Sequence, residues 1–154
     1  MNKEEFVDHK SGKMSMSMGT CDLEKNPTFS RVWGVHFSDA SRAFLKVILP
    51  EKISQKPLAH LAINKNVSIT VGDMIQFKTN QYKGVVEAIE QSTPEEIAIA
   101  KESRDNSTDT LVQFFGEVGN NWSKYTMDSG LTLTIKITEV YDQTPGKMAG
   151  VRLL

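Results

Sequence analysis

Residues 131–141 read Leu-Thr-Leu-Thr-Ile-Lys-Ile-Thr-Glu-Val-Tyr (LTLTIKITEVY), and this stretch decides the fold class. Its strict alternation puts Leu131, Leu133, Ile135 and Ile137 on one face, and Thr132, Thr134, Lys136 and Thr138 on the other. A period of two is the mark of a half-buried strand. The same signature recurs upstream. Met14, Met16 and Met18 alternate with Ser15 and Ser17 and predict a strand with a methionine stripe facing a core or an interface. Thr28 to Ser38 (TFSRVWGVHFS) reads as one strand, with Phe29, Arg31, Trp33, Val35 and Phe37 on one face. After a short turn at Asp39–Arg42, Ala43 to Leu49 (AFLKVIL) completes a hairpin with it. Val67 to Val71 forms another strand. Met74 to Ile89 forms one long strand, or two with a bulge near Gly84.

Helices are few. Pro50 ends a strand, and Ser54 is placed to cap a short helix from Gln55 to Asn64, with Pro57 in its first turn. Leu58, Leu61 and Ala62 would form its buried face. Thr93-Pro94-Glu95-Glu96 has the pattern of a capping box with Pro at N1 and predicts a helix to about Glu102. Arg104 to Asp109 (RDNSTD) reads as a polar break, Leu111 to Val118 as a second helical piece, and Asn120 to Gly130 as a loop. Short turns between strands imply a mainly antiparallel sheet. With so little helix to cover it, the sheet is expected to close as a barrel or sandwich. Residues 1–13 read as a flexible arm and 14–154 as a single domain.

Composition narrows the function. The 154 residues carry 18 Lys plus Arg against 19 Asp plus Glu, a net charge of −1, so there is no broad cationic field for a nucleic acid. The single cysteine, Cys21, excludes an internal disulfide framework. The acidic start (Glu4, Glu5, Asp8) lacks the apolar run of a signal peptide, and no segment has the length of a membrane span. A cytoplasmic location is the expectation. His9, His36 and His60 stand far apart with no ligand spacing, so no metal site is expected. Nucleophile elbows, phosphate-binding loops and dinucleotide fingerprints are absent. Catalytic residues cannot be named from pattern.

One anion site can be read from the residues. A helix opening at Ser54 presents unsatisfied N–H groups, with Lys52 and Lys56 beside it, and such an opening suits a phosphate. An ordinary capped surface helix fits the same spacing. Arg31 falls mid-strand among aromatic residues, where an unpaired guanidinium is costly. Its partner is either a structural carboxylate or a ligand phosphate.

Taken in order, four segments resemble the pyridoxamine 5′-phosphate oxidase-like family: Arg31-Val32-Trp33-Gly34-Val35; Val47-Ile48-Leu49-Pro50; Ser54-Gln55-Lys56, opening a helix that ends before Asn64-Lys65-Asn66-Val67; and Lys78-Thr79-Asn80-Gln81-Tyr82-Lys83-Gly84. The likeness spans about residues 14 to 95. The stretch from Glu139 to Gly146 is similar to the end of an uncharacterised branch. The resemblance implies an FMN-binding split barrel, antiparallel, Greek-key-like and six-stranded. It implies a homodimer with flavin sites at the interface. By position it implies that Arg31 helps hold the flavin with Val32 and Trp33 beside it, that Leu49 and Pro50 lie against its ring, that Ser54, Gln55 and Lys56 hold its phosphate, and that Lys78 and Thr79 contact the ring.

Gln55 stands where the family usually has arginine, and Thr79 where it usually has glutamine. A charged hydrogen bond contributes roughly 1.5–3 kcal/mol, so weakened FMN binding is expected. The residues that recognise pyridoxamine phosphate are not seen, so a true vitamin B6 oxidase is not expected. Three readings follow: a flavin-dependent oxidoreductase of unknown substrate; a non-catalytic split barrel that binds or stores a flavin or haem-like cofactor; and a ligand-free interaction domain. The last requires Arg31 to pair with an internal carboxylate and the Ser54 helix start to face open solvent.

Overall fold

The computed structural model describes residues 13–125 and 128–154, so the expected N-terminal arm lies outside the described residues except for Lys13. Seven strands follow one another with two α-helices among them. The strands are β1 (Met14–Cys21), β2 (Pro27–Arg31), β3 (Gly34–Phe37), β4 (Phe44–Leu49), β5 (Asn66–Asp73), β6 (Thr79–Gln91) and β7 (Leu131–Asp142). Helix α1 (Gln55–Ile63) lies between β4 and β5, and α2 (Pro94–Phe115) between β6 and β7. The sheet order is β2-β1-β5-β6-β7-β4-β3, and every pairing is antiparallel.

The two edge strands of this sheet are consecutive in the chain, separated only by Val32 and Trp33. The sheet therefore closes on itself there. The Val32 N–H donates to Met16 O of β1 (3.3 Å), and the Trp33 N–H donates to Ile48 O of β4 (2.9 Å). Closure removes the open edges that a flat sheet would expose. Residues 28–38, expected as one strand, are thus two strands with different partners. The six expected strand positions are filled by seven strands, because β2 and β3 share one position.

The seam also breaks the alternation. Val32, Val35 and Phe37 join the barrel interior, whereas Trp33 packs outside with Ile48 and Ala100. A Cβ on Gly34 would meet Ile48 Cδ1 at 2.8 Å and Ile99 Cγ2 at 3.4 Å, so Gly34 also faces outward. Two successive outward residues slip the register by one, which a period-two reading cannot show. Phe29, expected on a shared face with Val35, is exposed.

The interior holds the methionine stripe of β1 and the alternating faces of β5 and β7. Met18, Ile69, Val71, Leu133 and Val140 are fully buried there, together with the Tyr82 ring. Helix α1 covers one end of this core with Pro57, Leu58, His60 and Leu61. Ala62, expected on the buried face, is exposed. The bulge expected near Gly84 is present: Lys83 pairs with Glu139 and Gly84 with Ile137, leaving Thr138 unpaired. Strand β6 starts at Thr79 rather than Met74, because Asp73 O δ1 accepts the Ile75 and Gln76 N–H groups and turns the chain at residues 73–78.

Helix α2 opens with the expected capping box: the Glu96 N–H donates to Thr93 Oγ1, and the Thr93 N–H donates to Glu96 Oε2. It then runs unbroken through residues 104–109, where a break was expected. The hydroxyls of Thr108 and Thr110 donate to carbonyls one turn back, and Ser107 donates to Met14 O on β1. Polar residues that would favour a turn in isolation are satisfied within the helix or against the sheet. The chain continues as a 3₁₀ segment, Gly116–Lys124, where a loop was expected from Asn120.

Candidate functional site

The seam gathers most of the residues expected to form a site. Trp33 bonds to Ile48 through the backbone, so Arg31, Val32 and Trp33 lie beside the end of β4, where Leu49 and Pro50 lead into a 3₁₀ turn (Glu51–Ile53) and then α1. The side chains diverge. Ser30 and Ser54 share a buried hydrogen bond of 2.9 Å between their hydroxyls. Arg31, the next residue, projects from the opposite face of β2, donates from Nη1 to Ser15 Oγ at 3.1 Å, and lies 4.9 Å from the centre of the Trp122 ring. Arg31 makes no ion pair with a carboxylate among the described residues. The side chain of Leu49 is buried in the barrel core.

Ser54 is not the cap that its position suggested. It is fully buried, and its side chain accepts no N–H from α1. The start of α1 consequently has no side-chain cap and no acidic residue in its first turn, and Gln55 and Lys56 are exposed. The contrast with α2 is direct, because that helix satisfies its first N–H groups with Thr93 and Glu96. An uncapped helix start with a cation beside it suits an anion by both hydrogen bonding and dipole.

Lys78 and Thr79 lie at the turn between β5 and β6. Thr79 stands opposite Gly72, Gly72 opposite Ser15, and Ser15 holds Arg31. Thr79, Gly72 and Ser15 form one row on the outer face, two strand spacings or about 10 Å across, and Arg31, whose backbone pairs with Ser17, reaches this row through its side chain. Ser17 and Thr70 continue the same face. Its floor is therefore made of small side chains, which leaves room for a flat group. The residue before Lys78, Phe77, has φ 59° and is 64% exposed, an uncommon conformation for an aromatic residue.

Helix α2 and the 3₁₀ segment roof one end of this row. A cleft of about 60 Å³ lies beneath them, lined by Arg31, Trp33, Ser15, Arg104, Ser107 and Trp122 among others. The rings of Trp122 and Tyr125 each lie 5.6 Å from the Trp33 ring. The Trp33 indole N–H is buried without a hydrogen-bond partner among the described residues. Arg104, Ser107 and Trp122 were not singled out from the sequence. They stand some 70 to 90 positions from Arg31 in a stretch read as break and loop, and only the lone tryptophan among Gly and Asn residues (Gly119-Asn120-Asn121-Trp122) hints at them.

A second polar cluster joins α2 to β4 and β7. Glu96 accepts from Lys46 Nζ at 3.0 Å and from Thr132 Oγ1 at 2.8 Å. Burial alone would raise its carboxyl, but the Thr93 N–H, Lys46 and Thr132 together hold it below the ordinary value. His36, opposite Lys46, is pushed down by burial, which outweighs the pull of Glu96, and its Nδ1 is buried without a partner. Among the described residues, no group of three His, Cys, Asp or Glu side chains is placed to hold a metal, and no helix is long and apolar enough to cross a membrane.

No family model matches the sequence, and no curated protein matches it. Solved structures do. HupZ of Group A Streptococcus is 15% identical with a TM-score of 0.55, over 97% of this chain and 100% of that one. A candidate pyridoxamine 5′-phosphate oxidase from Lactobacillus delbrueckii is 13% identical with a TM-score of 0.53, over 92% and 93% of the two chains. A pyridoxamine 5′-phosphate oxidase-related, FMN-binding protein from Nostoc punctiforme is 11% identical with a TM-score of 0.51, over 90% of this chain and 78% of that one. The chain therefore shares the fold of these structures, an antiparallel split β-barrel.

Proposed function

We propose that this protein binds FMN and acts as a flavin-dependent oxidoreductase, as a homodimer with its flavin sites where the two chains meet. The observation that carries this reading is the open start of α1: no cap, no acid, and an exposed Lys56, at the end of β4 in a fold shared with an FMN-binding protein. Gln55, Lys56 and the first free N–H groups of α1 would hold the phosphate, with Ser54 fixing the helix start from behind. The backbone at Leu49 and Pro50 would border the ring, and Val32 and Trp33 stand next to it across the seam. The small-residue row from Arg31 to Lys78 and Thr79 offers a flat surface for the ring or its substrate, which a partner chain would cover. When bound, FMN supplies the hydride or electron-pair chemistry, and the chain supplies anchorage, orientation and exclusion of water.

The test is titration of the purified protein with FMN, read by quenching of flavin fluorescence, together with the mass of the particle in solution. Saturable binding that weakens in Lys56→Ala, by a dimer, supports the proposal. Failure to bind at tens of micromolar FMN overturns it.

A second reading draws on a specific absence. The first turn of α1 offers no acid, and the helix carries no group to serve as general acid or base at that end. A non-catalytic barrel that binds or stores a flavin or haem-like cofactor fits this equally well. Reduction of bound FMN by a nicotinamide nucleotide favours the oxidoreductase. Bound FMN that neither nicotinamide nucleotide reduces favours the storage reading.

A further inference from the structure

We propose that the cleft beneath α2 is a binding site for a small oxyanion, held by the Arg31 guanidinium, the Trp33 indole N–H and Arg104. The cleft sets two arginines and three serines (Ser15, Ser103 and Ser107) among apolar and aromatic side chains, with no Asp or Glu among the described residues that line it. Arg31 meets a serine hydroxyl and the face of Trp122, and makes no carboxylate pair among the described residues. Arg104 donates to Asp105 Oδ1 from Nε (2.9 Å) and Nη2 (2.7 Å) and to Tyr125 O from Nη1 (3.2 Å), which leaves two of its N–H groups for a ligand; the Asp105 side chain is 61% exposed, so water weakens that pair. Asp105 offsets the Arg104 charge in part and no carboxylate among the described residues offsets that of Arg31, so the cleft keeps a positive charge that an anion inside it would balance.

Trp33 gives the second, independent indication. It is 5% exposed, it lines the cleft, and its N–H has no hydrogen-bond partner among the described residues. An indole nitrogen only donates, so whatever satisfies it must carry a lone pair. Native structures rarely leave such a buried donor unmet. Trp122 and Tyr125 pack on the Trp33 ring and fix its position. Size selects the ligand class. About 60 Å³ is the room of a phosphate, a sulfate or a carboxylate group, well below the 300 Å³ or more of ordinary cofactor pockets. The site is also distinct from the opening of α1. Arg31 and Ser30 project from opposite faces of β2, and only Ser30 reaches Ser54. The inference goes beyond flavin binding and does not depend on it.

The two tryptophans of the chain give two indole N–H signals in a nitrogen–proton correlation spectrum, and Trp33→Phe assigns one of them. The full-length protein is titrated with sodium phosphate, sodium sulfate and sodium acetate at constant ionic strength, with chloride as the reference salt. The expected result is a saturable shift of the Trp33 signal with at least one oxyanion, with affinity reduced tenfold or more in Arg31→Gln and in Arg104→Gln at unchanged melting temperature. A response to phosphate and sulfate assigns the site to tetrahedral groups, and a response to acetate alone assigns it to carboxylates. The absence of any saturable shift overturns the proposal, as does a shift that chloride reproduces or that both variants retain. Competition between FMN and the oxyanion would make the cleft the flavin's own phosphate seat and would overturn it as a separate site. The wild-type titration decides the matter even where a variant fails to fold.

Discussion

The hydroxyls of Ser30 and Ser54 lie 2.9 Å apart, both buried, and join the last turn of chain before the barrel seam to the start of α1. This bond explains why a serine placed for capping does not cap. Its oxygen is committed to β2, and the helix start is left open. Ser30 Oγ also reaches Arg31 O at 3.3 Å, so the pair holds the backbone of the seam as well as the helix. Removing either hydroxyl is expected to cost about 1 kcal/mol, the net contribution of a typical hydrogen bond plus part of the cost of an unmet partner. A double-mutant cycle of Ser30→Ala and Ser54→Ala, read by urea unfolding, should show a positive coupling energy of that order. Additive effects would show that the two hydroxyls do not act together.

Glu96 links the helix cap to the sheet. The sign of its pH dependence follows from its lowered carboxyl pKa. The native state holds fewer protons than the unfolded state as pH falls through the ordinary value of 4.5, so acid favours unfolding. The stabilisation is fully present above that value and is lost as pH falls through the folded-state pKa. Glu96→Gln is expected to lower stability by roughly 1–3 kcal/mol at neutral pH and to flatten the acid limb below about pH 4.5. Urea midpoints measured from pH 7 to pH 3 check both effects. An acid limb as steep in Glu96→Gln as in the wild type would assign it to other carboxylates.

Gly84 marks the bulge between β6 and β7. A Cβ there would lie 2.3 Å from Lys136 O and 2.7 Å from Ile135 Cγ2. The first is backbone in the next strand and cannot swing away. Gly84→Ala should therefore destabilise the barrel by about 1–3 kcal/mol or more, through displacement of β7 rather than through helix or loop changes. Thermal unfolding measures the loss, and backbone shifts confined to residues facing 135–139 locate it. Gly19→Ala, with nothing within 4 Å of its added carbon, is the matched control and should change stability little.

These cases show which features could be read in advance. The alternating faces of Met14–Met18 and Leu131–Tyr141, the capping box at Thr93 and the glycine at 84 are local patterns, and local chemistry dictates them. Residues 28–38 kept an extended pattern while changing partner at Val32 and Trp33, because barrel closure is a property of the whole sheet. The RDNSTD run read as a break because its satisfaction comes from helix carbonyls and from Met14 O, which only the packed structure supplies. The cleft was illegible for a similar reason. Arg31 was singled out as needing a partner, but Arg104 and Trp122 reach it only through the path of α2 across β1.

Phe77 occupies the left-handed region at φ 59° beside Lys78, with most of its ring exposed. A non-glycine residue there bears a cost of about 1 kcal/mol or more, which its own packing does not offset. Phe77→Gly is expected to leave stability unchanged or raise it by up to about 1 kcal/mol, since relief of strain opposes the added freedom of the unfolded chain. FMN affinity should fall in the same variant if the ring is kept for a ligand. Melting temperature and flavin titration, run on one sample, separate the two effects.

At Gln55 a single change restores a residue usual in the pyridoxamine 5′-phosphate oxidase-like pattern and bears directly on the proposed phosphate seat. Gln55 is exposed at the open start of α1, where its amide nitrogen donates to Glu51 O at 3.0 Å and supplies no charge. Gln55→Arg adds a cation beside Lys56 and the free N–H groups of the first turn. A charge-assisted bond to a phosphate is worth roughly 1.5–3 kcal/mol when shielded, and solvent screening at this exposed position reduces that. FMN affinity should therefore rise about five- to tenfold, while riboflavin, which lacks the phosphate, should be unaffected. Fluorescence titration of wild type and variant with both flavins measures the difference. Equal gains for FMN and riboflavin would place the new side chain on the ring, and no gain for either would place the phosphate elsewhere than at α1.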